Sequence, residues 1–293
     1  MGKALCIDVG GTRIKASVLP ERLSHAALEK QQLYVAETLG WLNQSLPELL
    51  STGNPLSLVN QSVLADDYDD VGICVPGPVR NGEFLRPDLD VPLSLAQEFA
   101  KVTDKRLTLA KDADAWIIGA TTYLKLINQK IHYPVVGLTL GTGAGLAVAI
   151  DADHFVSIEV SALQNQFPET ERASGLPIGN AWQVHSVVGN RFFDWVRSDK
   201  RHWTRRKIED EYSKRVIAFL HDFLRSSSSP ENSVKTILLG GGNSGFVSSD
   251  AMENDIGCNV RILSALQSEI DVNLLSLIGL HRLVFSGSLR IGE

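Results

Sequence analysis

From Ala4 to Leu19 the chain reads ALCIDVGGTRIKASVL. An apolar run, Ala4 to Val9, stops at Gly10 and Gly11, and a second run, Ile14 to Leu19, follows the polar Thr12 and Arg13. Two short runs meeting at a glycine turn predict a β-hairpin. The turn is equipped for more than chain reversal. Glycines lack the Cβ that would keep a phosphate from the backbone N–H groups, the Thr12 hydroxyl adds a donor, and Lys15 brings an ammonium back to the same end of the hairpin. Asp8, closing the first strand, is the acid expected to hold Mg²⁺ through its water shell. Gly-Gly alone fits a plain turn; Asp, Gly, Gly, Thr and Lys at this spacing favour a phosphate site.

The plan recurs in the middle of the chain. Val135 to Leu140 and Gly145 to Ile150 predict a second hairpin, whose turn is Gly141, Thr142 and Gly143. Two such turns are expected to hold the phosphates of one nucleotide from both sides. A third glycine run, Gly240, Gly241 and Gly242, follows the predicted strand Val234 to Leu239 and continues through Asn243 and Ser244 to Gly245, a formal G-x-G-x-x-G. A dinucleotide site wants an acid at the end of the next strand, whereas the strand Asn259 to Leu263 ends in Ser264. The dinucleotide reading is set aside, and the glycines are expected to let adenine or ribose lie flat on the backbone. No G-x-x-x-x-G-K-[ST] stretch occurs, which excludes the usual P-loop.

Between these landmarks helical and strand patterns alternate. Leu39, Leu42, Leu46, Leu49 and Leu50 predict a helix over residues 36–50; a strand at Val71 to Val75 breaks at Pro76, Gly77 and Pro78; a helix over 93–102, a strand over 106–110 and a helix over 112–128 follow. The stretch 189–225 is helix-rich, Ser226 to Pro230 reads as a linker, and a last helix is expected over 273–284. The acidic run Asp66, Asp67, Asp69 and Asp70 and the basic run Lys200 to Lys207 read as solvated segments.

With 293 residues, 44% hydrophobic and 21% charged, the composition is that of an ordinary globular protein of about two domains, at roughly 150 residues each. The 28 Lys and Arg against 34 Asp and Glu give a net charge of −6, which disfavours nucleic acid and anionic membrane as partners. Cys6, Cys74 and Cys258 lie far apart in the sequence, so neither a disulfide framework nor a zinc knuckle is expected, and a reducing cytoplasm is. The stretch Tyr133 to Ile150 is uncharged but interrupted by glycines, and falls short of the ~20 apolar residues of a membrane helix.

Five segments in order, IDVGGTRIK (Ile7 to Lys15), GICVPGPV (Gly72 to Val79), KDADA (Lys111 to Ala115), LTLGTGAG (Leu138 to Gly145) and ILLGGG (Ile237 to Gly242), resemble the ROK family of sugar kinases. The pattern is most similar to the zinc-free polyphosphate/ATP glucokinase branch. The resemblance implies an α/β, two-domain actin-like ATPase (ribonuclease H-like) fold with an interdomain cleft. Its domains would be residues 1–113, rejoined by a C-terminal helix within 273–293, and 114–272. The implied reaction moves the γ-phosphate of ATP, or a phosphoryl group of polyphosphate, to a hydroxyl of a sugar or sugar-like molecule, with Mg²⁺ and without zinc; a homodimer is the family's frequent assembly.

By the same resemblance the catalytic base falls on Asp112, which a helix N-terminus is expected to keep ionised; a helix N-cap is its other, compatible role. Asp114 reads as structural. On the sugar side the chain departs from the family. Lys111 stands where an asparagine is usual, and Glu159, Val160, Ser161 and Ala162 align with a Glu-x-Gly-His motif, keeping the Glu and losing the His. Asp88 falls near an asparagine position of the sugar site. Lys111 fits an acidic or phosphorylated acceptor, or points to solvent. The alternative to an active kinase is a nucleotide-binding pseudokinase or sensor, in which Lys111 and Ala162 have ended catalysis. The kinase reading requires that the two hairpin turns and Asp112 meet round one triphosphate.

Overall fold

The structure is a computed structural model, described for residues 2–10, 13–31, 33–37, 68–77, 79–80, 83–84, 105–160, 167–178, 181–199, 202–226, 234–263, 271–286 and 289–292. The chain divides into two compact units, residues 1–131 with 153–155 and 268–292, and residues 132–152 with 156–267. In chain order the first contains β1 (Lys3–Val9), β2 (Arg13–Pro20), α1 (His25–Glu29), β3 (Tyr34–Glu37), β4 (Asp70–Val75), β5 (Val79–Arg80), β6 (Glu83–Phe84), β7 (Arg106–Lys111) and α2 (Asp112–Leu126). There follow β8 (Val135–Leu140), β9 (Ala144–Ala149), β10 (His154–Ile158), α3 (Pro168–Ser174), α4 (Ala181–Val188), α5 (Asn190–Ser198), α6 (Arg205–Ser226), β11 (Thr236–Gly240), α7 (Ser249–Ile256) and β12 (Asn259–Ile262). The chain then returns to the first unit with α8 (Leu275–Phe285) and β13 (Arg290–Gly292).

The first unit is built on a five-stranded sheet in the order β3-β2-β1-β4-β7. β1 lies at its centre, antiparallel to β2 and parallel to β4, which is parallel to β7. A central strand covered on both faces is an almost continuous apolar run, and every residue of β1 after Lys3 is buried. Leu5, Ile7, Val9, Ile14, Ala16, Val71, Ile73 and Val75 form one core. The expected hairpin is present, with Val9 opposite Ile14 as its last pair. Ala36 and Glu37, expected to begin a helix, extend the sheet in β3 instead, because β2 offers its free edge to that segment. The rest of that expected helix, and the helix expected over 93–102, lie outside the described residues.

Helices α2 and α8 cross at two glycines. A Cβ on Gly119 would lie 1.7 Å from the Leu275 carbonyl oxygen, and one on Gly279 would lie 1.7 Å from that of Ala115. The crossing brings the two backbones together along surfaces where both helices are buried almost throughout. For this reason the first unit continues through α2 to Ile131, and the expected border between residues 113 and 114 falls inside that helix.

In the second unit the strands run β12-β11-β8-β9-β10. β8 and β9 form the expected central hairpin, and β11 runs parallel to both β8 and β12. Leu138, Leu140, Leu146, Tyr212, Phe219, Phe223 and Leu239 belong to its core, to which α6 contributes the three aromatic residues. No helix among the described residues is long and apolar enough to cross a membrane.

The glycine crossing gives a stability prediction. Alanine in place of glycine within a helix favours the helix by about 1 kcal/mol, whereas overpacking costs about 1–3 kcal/mol and sometimes more. Against a rigid carbonyl at 1.7 Å the clash wins. Gly279→Ala is expected to lower the urea midpoint of unfolding, by about 2 kcal/mol of stability; an unchanged midpoint would refute the close crossing.

Candidate functional site

The register of the first sheet assembles the site. Asp8 pairs across β1 and β2 with Lys15 and across β1 and β4 with Cys74; Cys74 in turn pairs with Ala110 of β7, and Val75 with Lys111. Residues from three distant stretches thus form one row at the carboxyl ends of parallel strands, where open α/β sheets bind ligands. Asp112 is the next residue of the chain.

Asp8 is 4% exposed. Lys15 Nζ donates to its Oδ2 at 2.9 Å, and the Cys74 thiol donates to its Oδ1 at 3.4 Å. Burial alone would depress the Lys15 ammonium, but the charge and hydrogen bond of Asp8 hold it above its ordinary value, so the lysine keeps its proton. Burial, with the charges of Asp8 and Asp112, pushes the Cys74 thiol well up, so it too remains protonated and able to donate.

Asp112 is not the N-cap of α2. That position is Lys111, with extended backbone (φ −73°, ψ 143°), and Asp112 opens the helix itself. Its Oδ1 accepts the Ala113 N–H at 2.7 Å. Nor does the helix terminus keep it comfortably ionised. Burial, chiefly, and then the charge of Asp8 push Asp112 up to about 7, against the opposing pull of Lys111 and the Ala113 N–H, while Asp114 raises it further. Lys111 does not point to solvent; it is 6% exposed. Asp114 is buried on α2.

The second unit assembles another group. Asn243, directly after the glycine run, donates from Nδ2 to the Gly141 carbonyl at 2.8 Å and to Asn190 Oδ1 at 2.9 Å. The central turn Gly141–Gly143 and the run Gly240–Gly242 are therefore neighbours. Gly241 has φ +87°, and a Cβ there would lie 2.3 Å from the Leu140 carbonyl oxygen. Its need for glycine comes from packing on the end of β8. Around Gly141 and Gly242 the space is open, with nothing within 4 Å of an added Cβ. Glu159 follows β10 in the chain and is partly buried.

The structure thus joins Asp8, Lys15, Lys111 and Asp112 in one unit, and Gly141, Thr142 and Gly143 with Gly240, Gly241 and Gly242 in the other. Gly10 directly follows β1. Gly11, Thr12, Asp88 and Ala162 lie outside the described residues. Sequence reasoning passed over Cys74, His185, Asn190 and Asn243. Asn243 alone left a signal, inside the glycine motif.

Among the described residues no group of three His, Cys, Asp or Glu stands ready to hold a metal ion. Mg²⁺ needs no such cage: it takes one or two carboxylates, keeps several waters and completes its shell on substrate phosphates. The donor to test is Asp8. Its carboxylate is a hard oxygen ligand at the carboxyl end of a parallel strand, and it fits Mg²⁺ held through water.

No family model and no curated protein matches the sequence. Solved structures do share its architecture. The chain aligns over 97% of its length with 98% of the inorganic polyphosphate/ATP-glucomannokinase from Arthrobacter sp. strain KM, at a TM-score of 0.64 and 17% identity. It aligns over 95% with 96% of a ROK hexokinase from Thermus thermophilus, at 0.59 and 15%. With a ROK family glucokinase from Streptomyces griseus, in complex with glucose and AMPPNP, it aligns over 96% of its length and 99% of that chain, at 0.57 and 14%. The chain therefore has the α/β, actin-like ATPase fold of these sugar kinases. At such identities the likeness establishes the fold.

The raised Asp112 has a thermodynamic consequence. In the unfolded chain its carboxyl ionises near the ordinary value of 3.8, in the folded chain it is pushed up to about 7. Between those values the folded state binds more protons, so this group makes the protein less stable as pH rises through that window. Asp112→Asn is expected to raise the melting temperature at pH 8, with the gain shrinking steadily as pH falls from 7 towards 4. A gain that stays constant with pH would contradict the raised value.

Proposed function

We propose that the protein is a carbohydrate kinase that transfers the γ-phosphoryl group of ATP, or a phosphoryl group of polyphosphate, to a hydroxyl of a sugar or sugar-like acceptor. The observation that carries this reading is Asp112. It is a carboxylate at the end of a parallel strand, in the electrostatic field of a buried Asp8–Lys15 pair, and it titrates near neutrality. A general base is most effective when its pKa lies near the working pH. The fold shared with a glucokinase complexed with glucose and AMPPNP and with a polyphosphate/ATP-glucomannokinase supports a hexose acceptor and either donor.

In this mechanism Asp112 accepts the proton of the attacking sugar hydroxyl. Lys15 fixes the Asp8 carboxylate, which would hold Mg²⁺ through its water shell; the ion would neutralise charge on the transferring phosphates. The backbone N–H groups of Gly10, Gly11 and Thr12, and those of Thr142 and Gly143 in the central turn, bind phosphate oxygens. Gly240, Gly241 and Gly242 form the surface for the nucleoside. Glu159, Lys111 and Asp88 are the proposed acceptor-side residues, and Lys111 favours an acceptor that carries negative charge. The three cysteines are free thiols, which suits a reducing cytoplasm.

An ADP-release assay over hexoses, amino sugars and phosphorylated sugars, with polyphosphate as a parallel donor, tests the reading. At least one acceptor is expected to be phosphorylated, with kcat/KM rising with pH through about 7 as Asp112 ionises. Asp112→Asn should lower kcat by about 10²–10⁴ while AMPPNP still binds. Full phosphorylation by that variant would remove the base assignment; nucleotide binding without any acceptor would point to a sensor.

A further inference from the structure

The Gly141–Gly143 turn is held in an unusually one-sided way. Four consecutive carbonyls each accept a bond from within the second unit. Leu140 accepts from the Asn243 N–H at 3.0 Å, Gly141 from Asn243 Nδ2 at 2.8 Å, Thr142 from the Asn190 N–H at 3.2 Å, and Gly143 from the Gly141 N–H at 2.9 Å. The Ala144 N–H is also taken, by His185 Nδ1 at 3.2 Å. The N–H groups of Thr142 and Gly143 donate to no group among the described residues. A turn whose carbonyls are tied inward and whose successive N–H groups are left to a ligand is a nest for an anion. Left to itself, a Gly-Thr-Gly segment has wide conformational freedom, so something must select this arrangement.

The selecting groups come from three elements. His185 reaches the turn from α4, Asn190 opens α5, and Asn243 follows β11. Asn243 Nδ2 also donates to Asn190 Oδ1 at 2.9 Å, so two of the three brace each other. The approach of α5 is close enough that a Cβ on Gly189 would lie 2.3 Å from the Thr142 carbonyl oxygen, and one on Gly143 would lie 3.3 Å from His185 Nδ1. The contacts therefore leave the turn little room to rearrange.

We propose that His185, Asn190 and Asn243 are positioning residues that act through the Gly141–Gly143 turn, holding the Thr142 and Gly143 N–H groups as donors to a nucleotide phosphate. The proposal rests on the kinase reading above and adds residues that none of the glycine motifs names as functional. His185 acts as a hydrogen-bond acceptor, so its contribution follows from one ring nitrogen rather than from bulk. Asn243 acts as a double donor.

The experiment uses the full chain with AMPPNP as probe. His185→Leu keeps much of the volume and removes the acceptor; His185→Asn keeps an acceptor at the δ position; Asn243→Ala removes the double donor. Leaving a buried donor unsatisfied corresponds to a loss of about tenfold or more in the equilibrium it supports. His185→Leu and Asn243→Ala are therefore expected to raise the AMPPNP Kd and the KM for ATP about tenfold. The KM for the acceptor should stay within about twofold, and His185→Asn should restore AMPPNP binding to within about threefold of the wild type. Circular dichroism checks folding, and should His185→Leu fail to fold, Asn243→Ala decides. If both variants bind AMPPNP as the wild type does, or if the acceptor KM rises equally, the positioning role is overturned while the kinase reading stands. If the wild type itself binds no AMPPNP, the positioning role falls, and the kinase reading then stands or falls on phosphorylation with polyphosphate as donor.

Discussion

Asp8 is a carboxylate set into the buried central strand of the first sheet, and the neighbouring chemistry follows from the need to give it partners there. A buried carboxylate needs an opposite charge and hydrogen-bond donors. Lys15 and Cys74 supply these from the two strands that flank β1, at positions fixed by the sheet register. Pairing of this kind is stringent, since a one-residue slip would turn every side chain of a strand to the opposite face. The same register delivers Asp112 to the end of β7. Burial first, and then the charge already settled in Asp8, make a second charge in Asp112 costly and place its ionisation near neutrality. The proposed base is thus tuned by burial and by its neighbour across the sheet, against the pull of Lys111 and the Ala113 N–H.

The second unit meets a different demand with almost no charge. On the proposed function its turn offers donors to an anion while sheltering its own acceptors, and backbone N–H groups aimed by fixed carbonyl bonds do this without a lysine. Glycine is required at particular points for particular reasons. Gly241 takes φ +87° under the end of β8, and Gly189 lets α5 approach the turn. Gly141 and Gly242 border open space instead. A run of glycines that reads as one motif therefore divides into residues that serve packing and residues that leave room.

Much of the architecture was legible because each hairpin is two apolar runs separated by glycines, and because β4, β7 and α2 follow one another with clear breaks. Elements whose apolar content is slight were not. In α7 only Met252 is buried, yet its limits were written in the sequence: Ser248 caps its start through the Ala251 N–H, and Gly257 closes it at φ +76°. The candidate base was legible only through family resemblance, and its ionisation was misjudged. A helix terminus stabilises an anion locally, but the burial and the Asp8 charge that outweigh it come from tertiary structure. His185 was invisible for a similar reason: its partner, the Ala144 N–H, lies 41 residues away, and a lone histidine on a helix carries no pattern.

Lys111 connects this electrostatics to specificity. Where the family resemblance expects an amide, which hydrogen-bonds without adding charge, this chain buries a lysine directly before Asp112. Its positive charge is the foremost of the influences that lower Asp112, working against burial and Asp8. Without it Asp112 would hold its proton to higher pH, and a protonated carboxyl cannot receive another from a sugar hydroxyl. On the proposed function, the residue that changes what an acceptor meets is therefore also one that keeps Asp112 able to act as the base. A neutral replacement alters both properties together, so loss of activity in such a variant would not by itself reveal the acceptor's charge. Lys111→Arg retains the charge while changing the shape of the donor, and a change of acceptor preference at a constant pH profile would assign specificity to this side chain separately from its effect on Asp112.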